Sequence, residues 1–231
     1  MTTEVDHLVV AAASLDQGIA WCEATLGLTP GPGGAHPLMG THNRLLALAG
    51  AGFARCYLEI IAIDPAVRPT RAAGRRRWFD LDDGTLQASL AQDGPRLVHW
   101  VARVPDVQAA VQALAAAPLT IDRGPPLAAS RETAAGLLQW RITVRDDGQR
   151  LFDGALPTLI EWGERHPAEH LPPAGLELLG LGATQPDPAP LQAALAVLGL
   201  GERMAVTTGA PGLQAHLSTP RGVVVLDSRR R

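Results

Sequence analysis

Lysine is absent from this 231-residue chain, so its 20 basic residues are all arginines, set against 23 acidic ones for a formal net charge of -3. Without a basic surface there is no counterion release to drive general nucleic-acid binding, and that partner class is excluded. The run Arg71, Arg75, Arg76 and Arg77 and the tail Arg229, Arg230 and Arg231 read as solvated surface. Only two cysteines occur, Cys22 and Cys56, with no CxxC or Cys/His cluster around them, which removes a disulfide framework and a zinc finger. No apolar run reaches the roughly 18 residues that a membrane span needs. The opening MTTEVDHLVV has neither a basic leader region nor a small-residue cleavage site. The expectation is a soluble, cytoplasmic protein with reduced thiols and no membrane partner. Aromatic residues are scarce as well, and Trp (5) outnumbers Tyr (1) and Phe (3) together.

What remains is rich in Ala, Gly, Pro and Leu, and its order repeats. VDHLVVAAA (5–13) reads as an apolar strand, followed by a helix from Ser14, with Gln17 completing a capping box and Gly27 ending it. A Gly/Pro-rich stretch, PGPGGAHPLMG, precedes two strand-like runs, HNRLLALAG and CYLEIIAID. RLVHWVARV (96–104) starts the order again, with Asp106 capping VQAAVQALAAA and the runs LTIDR, LLQWRITVRD and PTLIEW behind it. His7 precedes Ser14 by 7 residues, and His99 precedes Asp106 by 7. LELLGLGAT (176–184) opens a weaker third copy, and HPAEHLPPAG (166–175) is the joint before it. The expected division is a first module over 1–65, an insertion with a short helix near TLQASLAQ over 66–95, a second module over 96–165, and the joint and third module over 166–231. The fold class expected is α+β: tandem βαβββ modules forming curved mixed sheets around a pocket, with a third, partial βαββ module at the C-terminus.

Four ionisable residues interrupt apolar strands: His7 and Glu59 in the first module, His99 and Glu161 in the second. A buried carboxylate is costly unless paired or bound to a cation. Two imidazoles and two carboxylates meeting at one point would suit zinc, nickel, manganese or iron(II), leaving positions for substrate oxygens. Strand alternation tests that convergence, because residues two apart share a face. Glu59 shares a face with Tyr57 and Ile61; Glu161 with Leu159; Arg141 with Thr143; His99 with Arg103. The other faces hold Trp100, Trp140 and Trp162, which this parity assigns to packing between sheet and helices. The expectation is that each polar face lines the pocket. Each residue also has a bland role: a sheet-end histidine bonded to a carbonyl, a glutamate paired with arginine. Polar residues after a Gly-rich loop, such as His36, Thr41 and Asn43, ordinarily cap turns. His166 and His170, in the joint, are expected at the surface.

The segments VDHLVV, GAHPLMGTHNRLLAL, YLEIIAID, LQWRITV and LIEWGERHP resemble the vicinal oxygen chelate superfamily (glyoxalase, bleomycin resistance and dioxygenase proteins) and, within it, the glyoxalase-like domain proteins. The resemblance covers about residues 5–165. It implies paired βαβββ modules cupping a divalent metal held by first- and last-strand residues, here His7, Glu59, His99 and Glu161. It also implies a metal-dependent lyase or isomerase that chelates two adjacent oxygens of a small substrate, with Glu161 or Glu59 moving the proton. His36, Thr41, Asn43 and Arg141 are the substrate-binding candidates. Two alternatives stand beside this: an Fe(II) extradiol-type dioxygenase, and a non-catalytic protein that binds or sequesters a small molecule. Pairing of the modules within one chain or across a homodimer is open.

Overall fold

A computed structural model of the chain describes residues 2–51, 53–133 and 136–229. Arg230 and Arg231 of the basic tail lie outside the described residues. The first module comprises β1 (Glu4–Ala11), α1 (Leu15–Leu26), β2 (Gly31–His36), β3 (Thr41–Leu48) and β4 (Cys56–Ile63). After a long connection comes α2 (Gly84–Asp93), then β5 (Arg96–Arg103), α3 (Val107–Ala116), β6 (Pro126–Thr133), β7 (Gly136–Thr143) and β8 (Thr158–Trp162). The third unit is β9 (Glu177–Gln185), α4 (Ala189–Val197), β10 (Met204–Thr208), β11 (Gly212–Thr219) and β12 (Gly222–Asp227). The α+β architecture of repeated modules expected from the sequence is the one observed, except that the third unit is a full βαβββ rather than the expected partial βαββ, with β10, β11 and β12 following α4. Among the described residues no helix is long and apolar enough to cross a membrane.

Local chemistry starts and stops these elements where the sequence says. Ser14 caps α1 by accepting the Gln17 N–H, and Gly27 ends it in the left-handed conformation (φ 74°) that glycine adopts without strain. Asp106 accepts the N–H groups of Gln108 and Ala109 at the start of α3. Two strands are not legible in the residues. GPGGAH forms β2 despite its glycines, and PLAASRET forms β6, whereas the strand-like LTIDR is mostly loop. β2 and β6 are the two edges of their sheet, where partners on one side suffice and propensity matters least.

The first two modules share one eight-stranded sheet, in the order β2-β3-β4-β1-β5-β8-β7-β6. Its centre is the antiparallel β1–β5 pair, so the modules join within one chain. Strand parity splits the core in two. Leu8, Leu58, Ile60, Trp100 and Leu159 point to the convex side, against α1, α3 and the third unit's sheet (order β10-β9-β11-β12). Val9, Ile61, Val101, Trp140, Ile142 and Ile160 point to the concave side. The connection between β4 and β5 fills much of that cup with Trp78, Phe79 and Leu81, joined by Leu86 and Leu90 of α2. Phe79 and Asp80 both hold left-handed backbone (φ 59° and 57°), a conformation that costs about 1–3 kcal/mol per non-glycine residue. Surrounding bonds hold it: Asp80 N–H donates to the Gly148 carbonyl, and Arg150 Nε donates to the Asp80 carboxylate at 2.8 Å.

Candidate functional site

Glu59 of β4 is 4 % exposed on the concave face, and its two oxygens have different surroundings. Oε1 accepts a hydrogen bond from Asn43 Nδ2 at 2.6 Å. The amide of Asn43 is itself oriented, because its Oδ1 accepts the Gly34 N–H at 2.7 Å. Gly33 is required here: a Cβ would collide with the carbonyl and side chain of Asn43. Asn43 Nδ2 also lies 3.4 Å from His36 Nε2, and His36 Nδ1 lies 3.1 Å from Thr41 Oγ1. Burial, then the nearby Arg131 cation, lower the His36 pKa to about 3, so the ring is neutral. Its Nδ1 proton therefore goes to Thr41 and its Nε2 accepts from Asn43.

The second oxygen of Glu59, Oε2, faces His7 Nε2 at 3.7 Å. His7 Nδ1 lies 2.6 Å from Asp6 Oδ1, which places the proton on Nδ1 and leaves Nε2 as the basic nitrogen. The Tyr57 ring stacks on this imidazole at 4.5 Å. Neighbouring strand residues normally face opposite ways, but a register shift between Val5 and His7 in the β1–β5 ladder lets Asp6 and His7 act together. Asp6 is fully buried, and three further groups face its Oδ2: His166 Nε2 at 2.9 Å, Trp162 Nε1 at 3.0 Å and Arg103 Nη1 at 3.5 Å. Burial alone would raise its pKa, but the hydrogen bonds to His166 and His7 win and hold the carboxyl well below the usual range.

His166 is 2 % exposed, not at the surface, because Asp6 draws it in. Its Nδ1 accepts the Ala168 N–H, so Nε2 carries the proton given to Asp6. His170 is exposed as expected. Together with Trp78, Phe79, Arg131, Trp140 and Trp162, the residues His7, His36, Asn43, Tyr57 and Glu59 line a narrow cleft. Its free space of about 30 Å³ is roughly what one or two waters occupy. A roomier cleft of about 330 Å³ is lined mostly by charged residues, of which Arg77 pairs with Asp82, Asp80 with Arg150 and Asp147 with Arg145.

The second module's candidates do not join this cleft. His99 Nδ1 lies 2.9 Å from the Gly154 carbonyl, and its Nε2 accepts the Thr158 N–H at 3.0 Å, so both ring nitrogens are engaged. Trp78 and Phe79 border the His99 cleft as well as the Glu59 cleft and separate them. Burial, then the Arg123 cation, keep His99 well below the ordinary histidine range and neutral. Glu161 is on the convex side, where it accepts the Val107 N–H at 2.8 Å at the start of α3 and pairs with Arg141. The expectation that polar faces line the pocket thus fails in β7 and β8. There the tryptophans Trp140 and Trp162 face the cup, and Arg141 and Glu161 face solvent. Trp100 alone of the three packs on the convex side as expected.

This geometry decides whether the residues fit the divalent metal that the sequence suggests. A catalytic zinc-type site takes three protein ligands. Here only His7 Nε2 and Glu59 Oε2 face one another, and among the described residues no three His, Cys, Asp or Glu side chains gather in a metal-holding group. The set His7, Glu59, His99 and Glu161 does not fit the ion, since a wall of aromatic rings isolates one member and the sheet itself isolates another. What the arrangement offers is a buried carboxylate beside a histidine whose free nitrogen is fixed by a charged partner, which is equipment for moving a proton.

Comparison with known proteins gives the context. A hypothetical protein from Staphylococcus aureus superposes with a TM-score of 0.55 at 13 % identity, covering 97 % of this chain and 85 % of that one, which speaks to the fold alone. Methylmalonyl-CoA epimerases also match: that of Mycobacterium tuberculosis at 16 % identity and TM-score 0.36 (69 % of this chain, 86 % of that one). That of Streptomyces coelicolor, in a single-residue variant bound to 2-nitronate-propionyl-CoA, matches at 20 % identity and TM-score 0.40 (72 % of this chain, 99 % of that one). No curated protein sequence matches the chain. The profile of the glyoxalase-like domain matches residues 5–199, most of the length, and the chain therefore belongs to the glyoxalase-like domain family of the vicinal oxygen chelate superfamily.

Proposed function

We propose that the Glu59 cleft is the active site of a proton-transfer enzyme, an isomerase or lyase acting on a small oxygenated substrate. One observation carries this: Glu59 has one oxygen tied to Asn43 and the other directed at a histidine of fixed tautomer, both out of solvent. Glu59 Oε2 takes the proton from a substrate carbon next to a carbonyl. As that C–H bond breaks, its electron pair moves onto the carbonyl oxygen as an enolate. His7 Nε2 can then relieve Glu59 of the proton, and the Asp6 carboxylate steadies the imidazolium that forms. Return of the proton to the same or the neighbouring carbon completes an isomerisation; departure of a neighbouring group completes a lyase reaction. Because the donor set does not fit a chelated metal, Glu59, His7 and Asp6 carry these proton movements themselves.

The test works whatever the product is. Small 2-hydroxy and 2-oxo carbonyl compounds incubated with the protein in deuterium oxide are followed by proton NMR. The expected result is loss of a carbon-bound proton signal with wild type, reduced about 100-fold or more in Glu59→Gln. Equal exchange by wild type and Glu59→Gln overturns the assignment, and binding without exchange across the series leaves a sequestering protein in its place.

A further inference from the structure

Among the described residues three buried side-chain nitrogens have no hydrogen-bond partner: Arg77 Nε, Trp78 Nε1 and Arg131 Nη1. Two of them belong to residues lining the Glu59 cleft. A buried donor left unpaired costs about 1–3 kcal/mol, so two on residues that line one narrow cleft are an expense that an incoming acceptor would relieve. Arg131 arrives from β6, the far edge of the sheet, and its guanidinium occupies the space that Gly34 on the opposite edge leaves open. Any Cβ at position 34 would strike it. No carboxylate pairs with Arg131 among the described residues, although nine other arginines have acidic partners. Glu59, the one carboxylate of the cleft lining, is engaged with Asn43 and faces His7.

We infer that the substrate carries a carboxylate, which Arg131 Nη1 and Trp78 Nε1 grip at one side of the cleft while Glu59 faces the carbon that gives up its proton, C2 of a 2-hydroxy acid or C3 of a 2-oxo acid. This rests on the proton-transfer reading above and names the substrate class for it: short 2-hydroxy or 2-oxo acids. The charges are complementary. An anionic group answers the unpaired guanidinium, and the planar fork of arginine suits a carboxylate's two oxygens. A cationic ligand would be drawn to Glu59 but would meet two N–H donors with nothing to offer them. A neutral polyol would leave the guanidinium charge uncompensated.

Calorimetric titration of the intact protein with pyruvate and lactate, and with their uncharged counterparts pyruvamide and lactamide, tests the inference. Wild type is expected to bind the acids at least about 10-fold more tightly than the amides. Arg131→Met should remove that preference, weakening acid binding at least about 10-fold and amide binding by a smaller factor. Trp78→Phe, which keeps the ring packing and deletes only the N–H, should weaken acid binding by a smaller factor and serves if Arg131→Met does not fold. Equal affinity for acid and amide in wild type, an undiminished preference in both variants, or no binding of either acid overturns the carboxylate anchor. Glu59→Gln separates this from the chemistry: if it binds pyruvate as wild type does and wild type still exchanges no carbon-bound proton, the anchor stands and the proton-transfer reading falls. Exchange by wild type with no preference for acids sinks the anchor alone.

Discussion

The two modules of the shared sheet begin with the same device, a histidine on the first strand seven residues before a helix cap, and put it to opposite uses. In the first, His7 keeps a free nitrogen directed at Glu59. In the second, His99 spends both nitrogens on Gly154 and Thr158. Ladder register explains the difference. β1 pairs with β4 at an offset of 50 (His7 with Tyr57), whereas β5 pairs with β8 at 57 (Val101 with Thr158). The position matching Glu59, two beyond the histidine's partner, is therefore Thr158 (99 + 57 + 2) and not Glu161. A neutral hydroxyl stands where the first module has its carboxylate, with the buried Arg123 donating to it at 2.6 Å. Burial lowers that guanidinium's pKa to about 9, and it has no carboxylate within ion-pair distance among the described residues. Duplication has left one half with the chemistry and the other with a hydrogen-bonded plug.

The sharpest way to break this contrast is to compare Glu59→Gln with Thr158→Val. The first should lose about 100-fold or more in proton exchange with little change in stability, and the second should leave exchange within about twofold while costing roughly 1–3 kcal/mol on denaturant unfolding. Comparable losses of exchange in the two variants would mean that the halves share one site. Next in size is Asp6→Asn. It withdraws the charge that His7, His166 and Trp162 converge on, and should destabilise the fold by about 3 kcal/mol as well as slowing exchange; an unchanged melting curve would refute the network.

A pH dependence follows from the buried neutral histidines. Unfolded imidazoles take a proton below about pH 6.5, while folded His36, with a pKa of about 3, and folded His99 do not. The unfolded state therefore binds more protons, and stability falls as pH drops below 6.5, by about 1.4 kcal/mol per pH unit for each histidine. Denaturant midpoints at pH 7.5 and 5.5 should move apart less in His99→Asn than in wild type; an unaltered spread would place the proton uptake elsewhere. The smallest effect belongs to Glu161→Ala, which removes an exposed pair with Arg141 and one contact to α3. Exchange should be untouched and the melting temperature only slightly lowered, whereas loss of exchange would restore Glu161 to the site.

How far the sequence can be read follows the same division. His7, Glu59, His36, Thr41 and Asn43 do come together, since β3 and β4 pair in plain antiparallel register and alternation carries their side chains to one face. Parity also sorts the second module's strands into two faces, but sorting does not say which is concave. At β7 and β8 the convex-face glutamate bonds the start of α3 and pairs with Arg141, so that face carries the charges and the cup takes the tryptophans. Asp6 is hidden by the bulge that suspends the two-residue period, although a carboxylate inside VDHLVV is a visible oddity. Nothing in the local sequence points Arg131, on a strand that PLAASRET does not announce, or Trp78, in the long β4–β5 connection, toward Glu59. Only closure of the sheet does that.

The Asp6–His166 contact also orders events in time. These residues lie 160 positions apart, and the strands flanking β1 both follow it in the chain. At about 5–20 residues per second of synthesis, the first strand waits roughly 8–30 s between its own emergence and the arrival of the last group that hydrogen-bonds its buried carboxylate. The module that holds Glu59 is thus made first but completed only after the second module has been made, and a nascent chain halted before position 166 holds the aspartate without its His166 partner.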